Sequence, residues 1–407
     1  MNDFLAHLES LGAEFLPYGP DAESAVQIPE HVGAFEAEYA AIRRRVGIMA
    51  MPQQAVLNVT GEDRQDFLHR LVTQEINALT GGQTTRSFQL DGKGCILADM
   101  LVHHGDLNTW LEMDRFRLPA VHELLESRLF TEDVALTPQT DQRLFLALIG
   151  PASLRLLEAV ATHTVDDLDI AALGRMPKTT HVVEIAGVRV SASRWDMAGE
   201  LAIRLAVPIE AAVHIHQTLL DAAGYEPNAE ADADFAERRR ESLRGRPVGW
   251  AAYNTARIEA GEALFGIDFG TDCRPAEAGQ AIMDETVSFT KGCYLGQEVV
   301  ARMHNLGHPK RLLVGLDIQG DRLPVAGSQV LKAQKAEDPD QPPTPTLDVI
   351  GAVTSSTISP LRGGSALALA MVKWGQHRPG TTLFTTELGE AVPATVGQPG
   401  VESLRAK

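Results

Sequence analysis

The chain has 407 residues, 44% of them hydrophobic and 22% charged, with a net charge of -18 at pH 7. At about 150 residues per domain, this length indicates two or three domains that need no disulfides or metal for stability. The charge argues against an extensive nucleic-acid surface, because such surfaces neutralise many phosphates with Lys and Arg. One basic segment stands out, since residues 291–311 hold four Lys or Arg and one carboxylate, Glu298.

The spacing of the cysteines and the N-terminal residues together indicate the cellular compartment. Cys95, Cys273 and Cys293 are odd in number and widely spaced, which is not the pattern of a disulfide framework and favours a reducing environment. We read no signal peptide at the N-terminus and no apolar run long enough to span a membrane. We therefore expect a cytoplasmic protein without a membrane partner.

The first half of the chain alternates predicted strands and helices. Residues 36–45 have a helical pattern, and residues 56–59 form a strand that ends at Thr60-Gly61. A hairpin is predicted over residues 89–102, with a two-residue turn at Asp91-Gly92. Its second strand is apolar except for Asp99. A strand at 110–113 and a helix follow.

The second half begins in the same way and then changes character. Residues 143–149 read as a strand, residues 181–192 as a hairpin turning at Ala186-Gly187, and residues 209–222 and 251–260 as helices. Residues 332–346 contain four prolines among acidic residues, which predicts a solvated insertion. Short strands after residue 347 favour a small β-barrel or sandwich. The fold class is therefore α+β with a separate C-terminal domain.

The segment from Phe289 to Arg302 is the densest in chemical features. Gly292 and Gly296 flank Cys293 just before a predicted helix start. The helix N-terminus and the adjacent Lys291 both favour an anion there, either a ligand or the thiolate itself. The alternative is a buried structural cysteine in a tight turn, since free cysteines are usually buried.

This segment carries a resemblance to a known family. Residues 291–298, Lys-Gly-Cys-Tyr-Leu-Gly-Gln-Glu, resemble the signature of the YgfZ family, folate-binding relatives of the glycine-cleavage T-protein. Two further blocks resemble motifs of the superfamily, namely Ser193-Arg194 with Gly199-Glu200, and residues 257–261 with Gly266 and Asp268. The similarity extends over about residues 36–385.

The resemblance implies a three-domain T-protein-like ring around a central folate-binding hole, with a C-terminal β-barrel. On this basis we divide the chain into an acidic N-terminal extension (1–35), a first folate-binding α+β domain (36–140), a second α+β domain ending in the Lys-Gly-Cys motif (141–308), and the barrel (309–407) with its insertion at 332–346. The implied ligand is tetrahydrofolate or a one-carbon derivative. The implied partners are iron–sulfur proteins or their assembly factors, and the implied processes include iron–sulfur-dependent tRNA modification.

Asp99 is the first candidate site residue. A carboxylate in an apolar strand is costly to bury without a partner. By resemblance, Asp99 matches the acidic residue that the T-protein places nearest the reacting folate nitrogen. The structural alternative is a carboxylate satisfied by backbone amides or by Arg86.

The remaining candidates follow from the resemblance. Glu200 corresponds to a pterin-contacting glutamate, and a carboxylate can accept two parallel hydrogen bonds from an aminopyrimidine edge. Arg194, Arg257, Glu259 and Asp268 are the further folate-binding candidates, with Arg–carboxylate packing inside the protein as the alternative for the arginines. Cys293 and Lys291 join Asp99 as catalytic candidates. We predict no metal site, because Gly307 and Pro309 would break a helix that placed His304 and His308 on one ion.

These residues support one leading function and two alternatives. The leading interpretation is a tetrahydrofolate-binding protein that supports iron–sulfur cluster assembly or repair through Cys293. The first alternative is an aminomethyltransferase that moves a one-carbon unit from a lipoyl-bound aminomethyl group to tetrahydrofolate. It is disfavoured because Tyr253-Asn254 stands where the T-protein has Arg-Asp, and because the T-protein lacks the Lys-Gly-Cys motif. The second alternative is a non-catalytic scaffold.

Overall fold

The structure, a computed structural model, describes residues 1–164, 170–226, 243–320, 322–334 and 341–397. Its contacts divide the chain into two compact units. The first unit contains residues 1–69, 75–87 and 100–253, and the second contains residues 70–74, 88–99 and 254–407. The division at residues 140 and 308 that the sequence suggested stays a prediction.

The first unit is built largely on one sheet. Its strands are β1 (Glu14–Tyr18), β2 (Val26–His31), β3 (Gly47–Met51), β4 (Gln54–Thr60), β5 (Gln83–Leu90), β6 (Ile96–His104), β7 (Asn108–Asp114), β8 (Ala135–Pro138), β9 (Arg143–Ile149), β10 (Ala161–Thr164), β11 (Thr179–Ile185), β12 (Val188–Arg194), β13 (Ala202–Pro208) and β14 (Arg246–Val248). β1 and β2 form a separate antiparallel pair. The others form one sheet in the order β14-β3-β9-β13-β12-β11-β5-β6-β7-β4-β8, with β10 beside β11. The last residues of β5 and the first of β6 are counted with the second unit.

Helices pack against this sheet. They are α1 (Asn2–Ser10), α2 (Phe35–Arg44), α3 (Arg64–Leu71), α4 (Leu118–Glu126), α5 (Ser153–Val160), α6 (Ile170–Arg175), α7 (Ala212–Ala223) and α8 (Trp250–Glu259), the last running into the second unit. The buried faces of α5 and α7 contribute Leu156, Leu157, Ile215 and Leu219 to one apolar cluster with β9 and β13. Burying such faces is the main stabilising contribution in a sheet with helices packed on it.

The two predicted hairpin turns had different outcomes. β11 and β12 pair in register from Thr179–Arg194 to Ile185–Val188, so the turn at Ala186-Gly187 is confirmed. Both turn residues have positive φ, 48° and 79°, as two-residue hairpin turns require. The prediction of a two-residue turn at Asp91-Gly92 is wrong. The connection runs from Asp91 to Cys95 because the Asp91 carboxylate accepts the backbone N–H groups of Lys93 and Cys95, which closes a longer turn.

The second unit ends in a closed β-barrel. Its strands are β15 (Arg311–Ile318), β16 (Gln329–Gln334), β17 (Thr344–Ser359), β18 (Ser365–Lys373), β19 (Thr382–Glu387) and β20 (Glu390–Gly397). They close in the order β15-β18-β17-β16-β19-β20, which removes exposed edges. The predicted insertion is therefore narrower than residues 332–346, since its ends belong to β16 and β17. Residues 335–340 of it lie outside the described residues.

A second apolar cluster packs the β5–β6 hairpin against the segments that precede the barrel in the chain. It joins Phe88, Leu90 and Ile96 of the β5–β6 hairpin to Phe269, Met283 and Tyr294. Helix α9 (Gln280–Thr286) contributes Met283 to this cluster, and helix α10 (Gln297–Leu306) contributes Val300. No helix among the described residues is long and apolar enough to cross a membrane.

Candidate functional site

Asp99 lies in β6, in the part of the strand that belongs to the second unit. Ile96, Ala98 and Met100 are buried, whereas Leu97 and Asp99 alternate with them and are only partly buried. Asp99 also has an interaction partner within the protein. The expectation of a lone carboxylate in an apolar strand is therefore wrong in its premise, because one face of this strand is partly open.

Glu200 lies in the first unit at the tight turn between β12 and β13. Met197 and Glu200 bond to each other across this turn, and Ala198 takes a positive φ of 53°. Nη1 of Arg43 lies 3.1 Å from Oε1 of Glu200 and 2.7 Å from the carbonyl oxygen of Ala198. Arg43 thus holds both the turn and the carboxylate, while the Glu200 side chain is still 21% exposed.

Arg194, the last residue of β12, makes other contacts. Its guanidinium forms a two-pronged ion pair with Asp196 at 2.7 and 3.1 Å and donates to the carbonyl oxygen of Gly174 at 2.6 Å. Such paired geometry is the strong form of an Arg–carboxylate contact. These contacts lie within the protein, as the alternative interpretation of Arg194 expected, and its role toward folate stays a prediction.

Arg257 and Asp268 form a closed buried pair in the second unit. Arg257 is fully buried and Asp268 is 2% exposed. Arg257 donates to Oδ2 of Asp268 and to the Ser355 hydroxyl, at 2.5 and 2.6 Å. The same carboxylate accepts the Ser355 hydroxyl, the Thr354 hydroxyl and the backbone N–H of Leu264. This network ties α8 and the following loop to strand β17.

Glu259, two residues further along α8, also accepts hydrogen bonds from a hydroxyl and a backbone group. Its Oε1 accepts the Ser359 hydroxyl at 2.5 Å and the backbone N–H of Leu361 at 3.2 Å. Glu259 is 1% exposed. These contacts of Arg257, Glu259 and Asp268 are internal to the second unit, and the contact of the three residues with folate stays a prediction.

Lys291 and Cys293 differ in burial: the amino group of Lys291 is buried, whereas Cys293 is exposed. Nζ of Lys291 is buried and donates to the carbonyl oxygens of Val72 and Gln74 at 2.8 and 2.9 Å. Cys293 is exposed, so the alternative of a buried structural cysteine is wrong. The following helix α10 begins at Gln297 behind Gly296, whose φ is 83°. Lys291 therefore fastens this loop to residues 72–74.

A buried charged cluster in the first unit escaped the sequence analysis. Glu112 of β7, Arg204 of β13 and His103 of β6 lie together, with Glu112 contacting Arg204 directly and His103 Nε2 at 3.0 Å. Burial desolvates Glu112, but Arg204 and His103 outweigh that cost and hold its pKa below its ordinary value. The signal was present, since Glu112 and Arg204 interrupt apolar strands just as Asp99 does.

The described residues contain no group of three or more His, Cys, Asp or Glu side chains that could hold a metal ion. His304 instead stacks on Phe289, with ring centroids 4.0 Å apart. His308 stacks on Trp374 in nearly parallel planes.

Two domain families together match nearly the whole chain. The GCVT N-terminal domain matches residues 4–291, and the glycine cleavage T-protein C-terminal barrel domain matches residues 311–400. The chain belongs to the glycine cleavage T-protein family. The T-protein-like α+β fold with a C-terminal β-barrel, predicted from the sequence, is thereby confirmed.

Relatives of this T-protein family member align from end to end. An aminomethyltransferase of Cutibacterium acnes is 27% identical over 394 residues, which cover 95% of this chain and 94% of the relative. One of Chlorobium luteolum is 24% identical over 390 residues, with the same coverage. The crystal structure of aminomethyltransferase T from Bartonella henselae, at 22% identity, superposes with a TM-score of 0.76 over 99% of this chain and 98% of its own. At that identity it supports the fold alone.

These findings correct the leading interpretation of the sequence. The curated relatives are named aminomethyltransferase across several species, so the assignment to the YgfZ family is wrong. The iron–sulfur function, its partner proteins and the link to tRNA modification were implied only by that assignment, and they are withdrawn with it. The residue motif at 291–298 is therefore not diagnostic in this chain.

Proposed function

We propose that the protein is an aminomethyltransferase. It takes the carbon of an aminomethyl group carried on the sulfur of a dihydrolipoyl arm and transfers it to tetrahydrofolate. The C–S and C–N bonds of the aminomethyl group break, and two bonds to folate nitrogens form. The products are methylene-tetrahydrofolate, ammonia and the free thiol of the arm. The protein that carries this arm is therefore the partner that we propose, in place of the iron–sulfur proteins expected from the sequence.

The observation that carries this proposal is the end-to-end similarity to proteins named aminomethyltransferase. The Cutibacterium acnes relative aligns over 94% of its length, so the chain contains the counterpart of a whole enzyme. Tetrahydrofolate, the ligand predicted from the sequence, is the one-carbon acceptor of glycine-cleavage aminomethyltransferases, and that prediction is confirmed for the family. The cytoplasm stays our predicted compartment.

Asp99 is the carboxylate that we assign to the reacting folate nitrogen. Its partly buried place in β6 reduces hydration, which strengthens the interaction of a carboxylate with a proton or positive charge on a nearby nitrogen. In this role Asp99 accepts a hydrogen bond from the nitrogen that attacks the aminomethyl carbon. It stabilises the positive charge that develops there.

Glu200 is the carboxylate that we assign to the pterin ring. Arg43 fixes it on a tight turn, and a fixed carboxylate can accept parallel hydrogen bonds from an aminopyrimidine edge. Arg194, Arg257, Glu259 and Asp268 act in this proposal by shaping the fold around the ligand, through the internal contacts described above. Lys291 has the same supporting role, and Cys293 enters no step of this scheme.

A reconstituted transfer assay tests the proposal. Purified protein is mixed with the aminomethyl-loaded carrier protein, and ammonia and methylene-tetrahydrofolate are measured with and without tetrahydrofolate. We expect ammonia release that depends on tetrahydrofolate, and a loss of about 100-fold or more for Asp99→Asn, the range typical of a group acting on a proton in the transition state.

The matched control is Asp348→Asn, which makes the same chemical change at an exposed position of β17. It is expected to leave the rate unchanged. Wild-type protein that forms no methylene-tetrahydrofolate with an active carrier would exclude the proposed reaction. Equal losses in both variants would remove Asp99 from it.

A further inference from the structure

Helix α2 brings an arginine to the turn that carries Glu200. Arg43 is nearly buried, with 9% of its side chain exposed. Its Nη1 donates to the carbonyl oxygen of Ala198 at 2.7 Å and to Oε1 of Glu200 at 3.1 Å. A single nitrogen atom therefore contacts both the backbone of the turn and the carboxylate at its end. The position of the carboxylate thus depends on the position of this guanidinium.

The turn beside Arg43 has a backbone conformation that needs support. Ala198 has a φ of 53°, in the left-handed region that residues other than glycine rarely adopt. Backbone hydrogen bonds between Met197 and Glu200 close the turn, and the Arg43 N–H fixes the Ala198 carbonyl inside it. Such a conformation persists only where the surrounding contacts determine it, and it is frequent at ligand-binding sites.

The side chain of Arg43 is itself held by α2. Its guanidinium carbon lies 5.6 Å from the centre of the Tyr39 ring, and its Nε donates to the Tyr39 hydroxyl at 3.4 Å. Tyr39 stacks on Phe35, with ring centroids 6.0 Å apart and planes inclined by 19°. Residues four apart share one face of a helix, so Phe35, Tyr39 and Arg43 form a continuous row. The row restricts the guanidinium before it meets Glu200.

Holding the fold accounts for only part of this arrangement. The bond from Arg43 to the Ala198 carbonyl is sufficient to fix the turn, and it does not involve the carboxylate. The carboxylate of Glu200 offsets the charge of the nearly buried guanidinium, yet 21% of its side chain is exposed. Ligand-binding side chains are typically oriented in this way, by a neighbour that is locked by packing and hydrogen bonds.

We propose that Arg43 is a positioning residue for tetrahydrofolate and acts through Glu200. An ionised carboxylate has about four acceptor positions, so Oε1 can accept from Arg43 and still accept from the aminopyrimidine edge of the ligand. Arg43 does not touch the ligand in this scheme. The inference rests on the proposed function, in particular on the assignment of Glu200 to the pterin ring. It adds that the two side chains act as one unit.

A double-mutant cycle on the full-length protein tests the proposal, with the Kd of tetrahydrofolate measured by calorimetry. We expect Arg43→Gln alone to raise the Kd about fivefold, because residues in one hydrogen-bond network are coupled. In the Glu200→Gln background the same change should raise the Kd less than about twofold, because the carboxylate that Arg43 orients is gone. A purely structural role of Arg43 predicts equal losses in both backgrounds.

The transfer assay supplies a second measurement that general damage to the fold would not reproduce. Arg43→Gln should raise the KM for tetrahydrofolate about fivefold and leave the KM for the aminomethyl-loaded carrier protein within about twofold. The matched control is Arg44→Gln, the next residue of α2, which is exposed. It should change neither KM.

Thermal melting without ligand shows whether Arg43→Gln folds. If it does not, Arg43→Lys replaces it in the cycle, because lysine keeps the positive charge but lacks the planar fork of arginine. We then expect a rise in Kd of about threefold in otherwise wild-type protein and no rise in the Glu200→Gln background.

The outcomes separate this inference from the proposed function. Folded wild-type protein that does not bind tetrahydrofolate saturably would reject both, and an unchanged Kd in Glu200→Gln would reject the pterin assignment and the inference with it. A clear loss in Glu200→Gln beside an unchanged Kd in folded Arg43→Gln would overturn the inference alone. Equal losses from Arg43→Gln in both backgrounds, or an equal loss in Arg44→Gln, would also overturn it alone.

Discussion

The Arg257–Asp268 pair and the Arg43–Glu200 pair each join an arginine to a carboxylate, yet their surroundings differ. In the second unit, Arg257 and Asp268 are buried, and hydroxyl and backbone groups complete their hydrogen bonds. In the first unit, Arg43 holds Glu200 on a turn, and the glutamate is still partly exposed. Both pairs contain residues that the sequence nominated as folate ligands.

The difference separates residues that hold the fold from residues that can meet a ligand. A buried charge must be neutralised inside the protein, because the cost of leaving it unpaired is several kcal/mol. A network that meets this need has no capacity left for a ligand without a large rearrangement. A partly exposed carboxylate held by one arginine can exchange water for a ligand at little cost to stability.

The largest effect on stability is expected from Asp268→Ala. The substitution leaves Arg257 buried without its counter-ion, and breaking a buried pair in this way costs about 3–5 kcal/mol. Urea denaturation measures the loss. The control is Asp317→Ala, which breaks the exposed Arg362–Asp317 pair of the same unit and should cost less than about 1 kcal/mol. Similar losses in the two variants would show that the Arg257 network is not closed.

A somewhat smaller effect is expected from Glu112→Gln in the first unit. The amide keeps a hydrogen-bond acceptor but loses the charge that Arg204 and His103 stabilise, so the cost at pH 7 is about 2–3 kcal/mol. Because the folded-state pKa of Glu112 is lowered from 4.5, this contribution is complete above about pH 4.5 and is lost as the pH falls further. The stability difference between wild type and variant should shrink over that lower range. A constant difference would contradict the pairing.

These contacts also show why part of the fold could be predicted from the sequence and part of the site could not. The β11–β12 hairpin depends on its own turn residues and was predicted correctly. Lys291 was predicted to act on its neighbour Cys293, but its Nζ binds Val72, 219 positions away. Such a contact follows from tertiary packing and leaves no local pattern.

The family assignment failed for a related reason. An eight-residue motif was given more weight than the rest of the chain, whereas the similarity to aminomethyltransferases extends over 95% of it. Asp99 was noticed because a carboxylate in an apolar strand stands out, and the same signal at Glu112 was passed over. Burial and partners, which decide between a structural and a ligand-binding role, were visible only in the structure.

A smaller effect again should come from His216, which is fully buried on α7 and lies 2.9 Å from the partly buried His7 of α1. Burial, followed by repulsion from His7, lowers the pKa of His216 to about 3. The unfolded chain therefore binds more protons below pH 6.5, and stability falls with decreasing pH, by about 1–2 kcal/mol at pH 5.

His216→Phe should flatten the stability curve between pH 6.5 and pH 5, as measured by urea denaturation at each pH. His214→Gln, at an exposed position of the same helix, is the control and should keep the wild-type slope. An unchanged slope in His216→Phe would assign the pH dependence to other groups.

The most direct test of the central claim is the tetrahydrofolate affinity of Glu200→Gln compared with that of Asp268→Asn, measured by calorimetry on folded protein. The account predicts that Glu200→Gln weakens binding by about tenfold, the loss of a charge-assisted hydrogen bond, while its free energy of unfolding changes by less than about 1 kcal/mol. It predicts that Asp268→Asn lowers stability and leaves the Kd of the folded protein within about twofold. Unchanged affinity in Glu200→Gln together with a large loss in folded Asp268→Asn would contradict it.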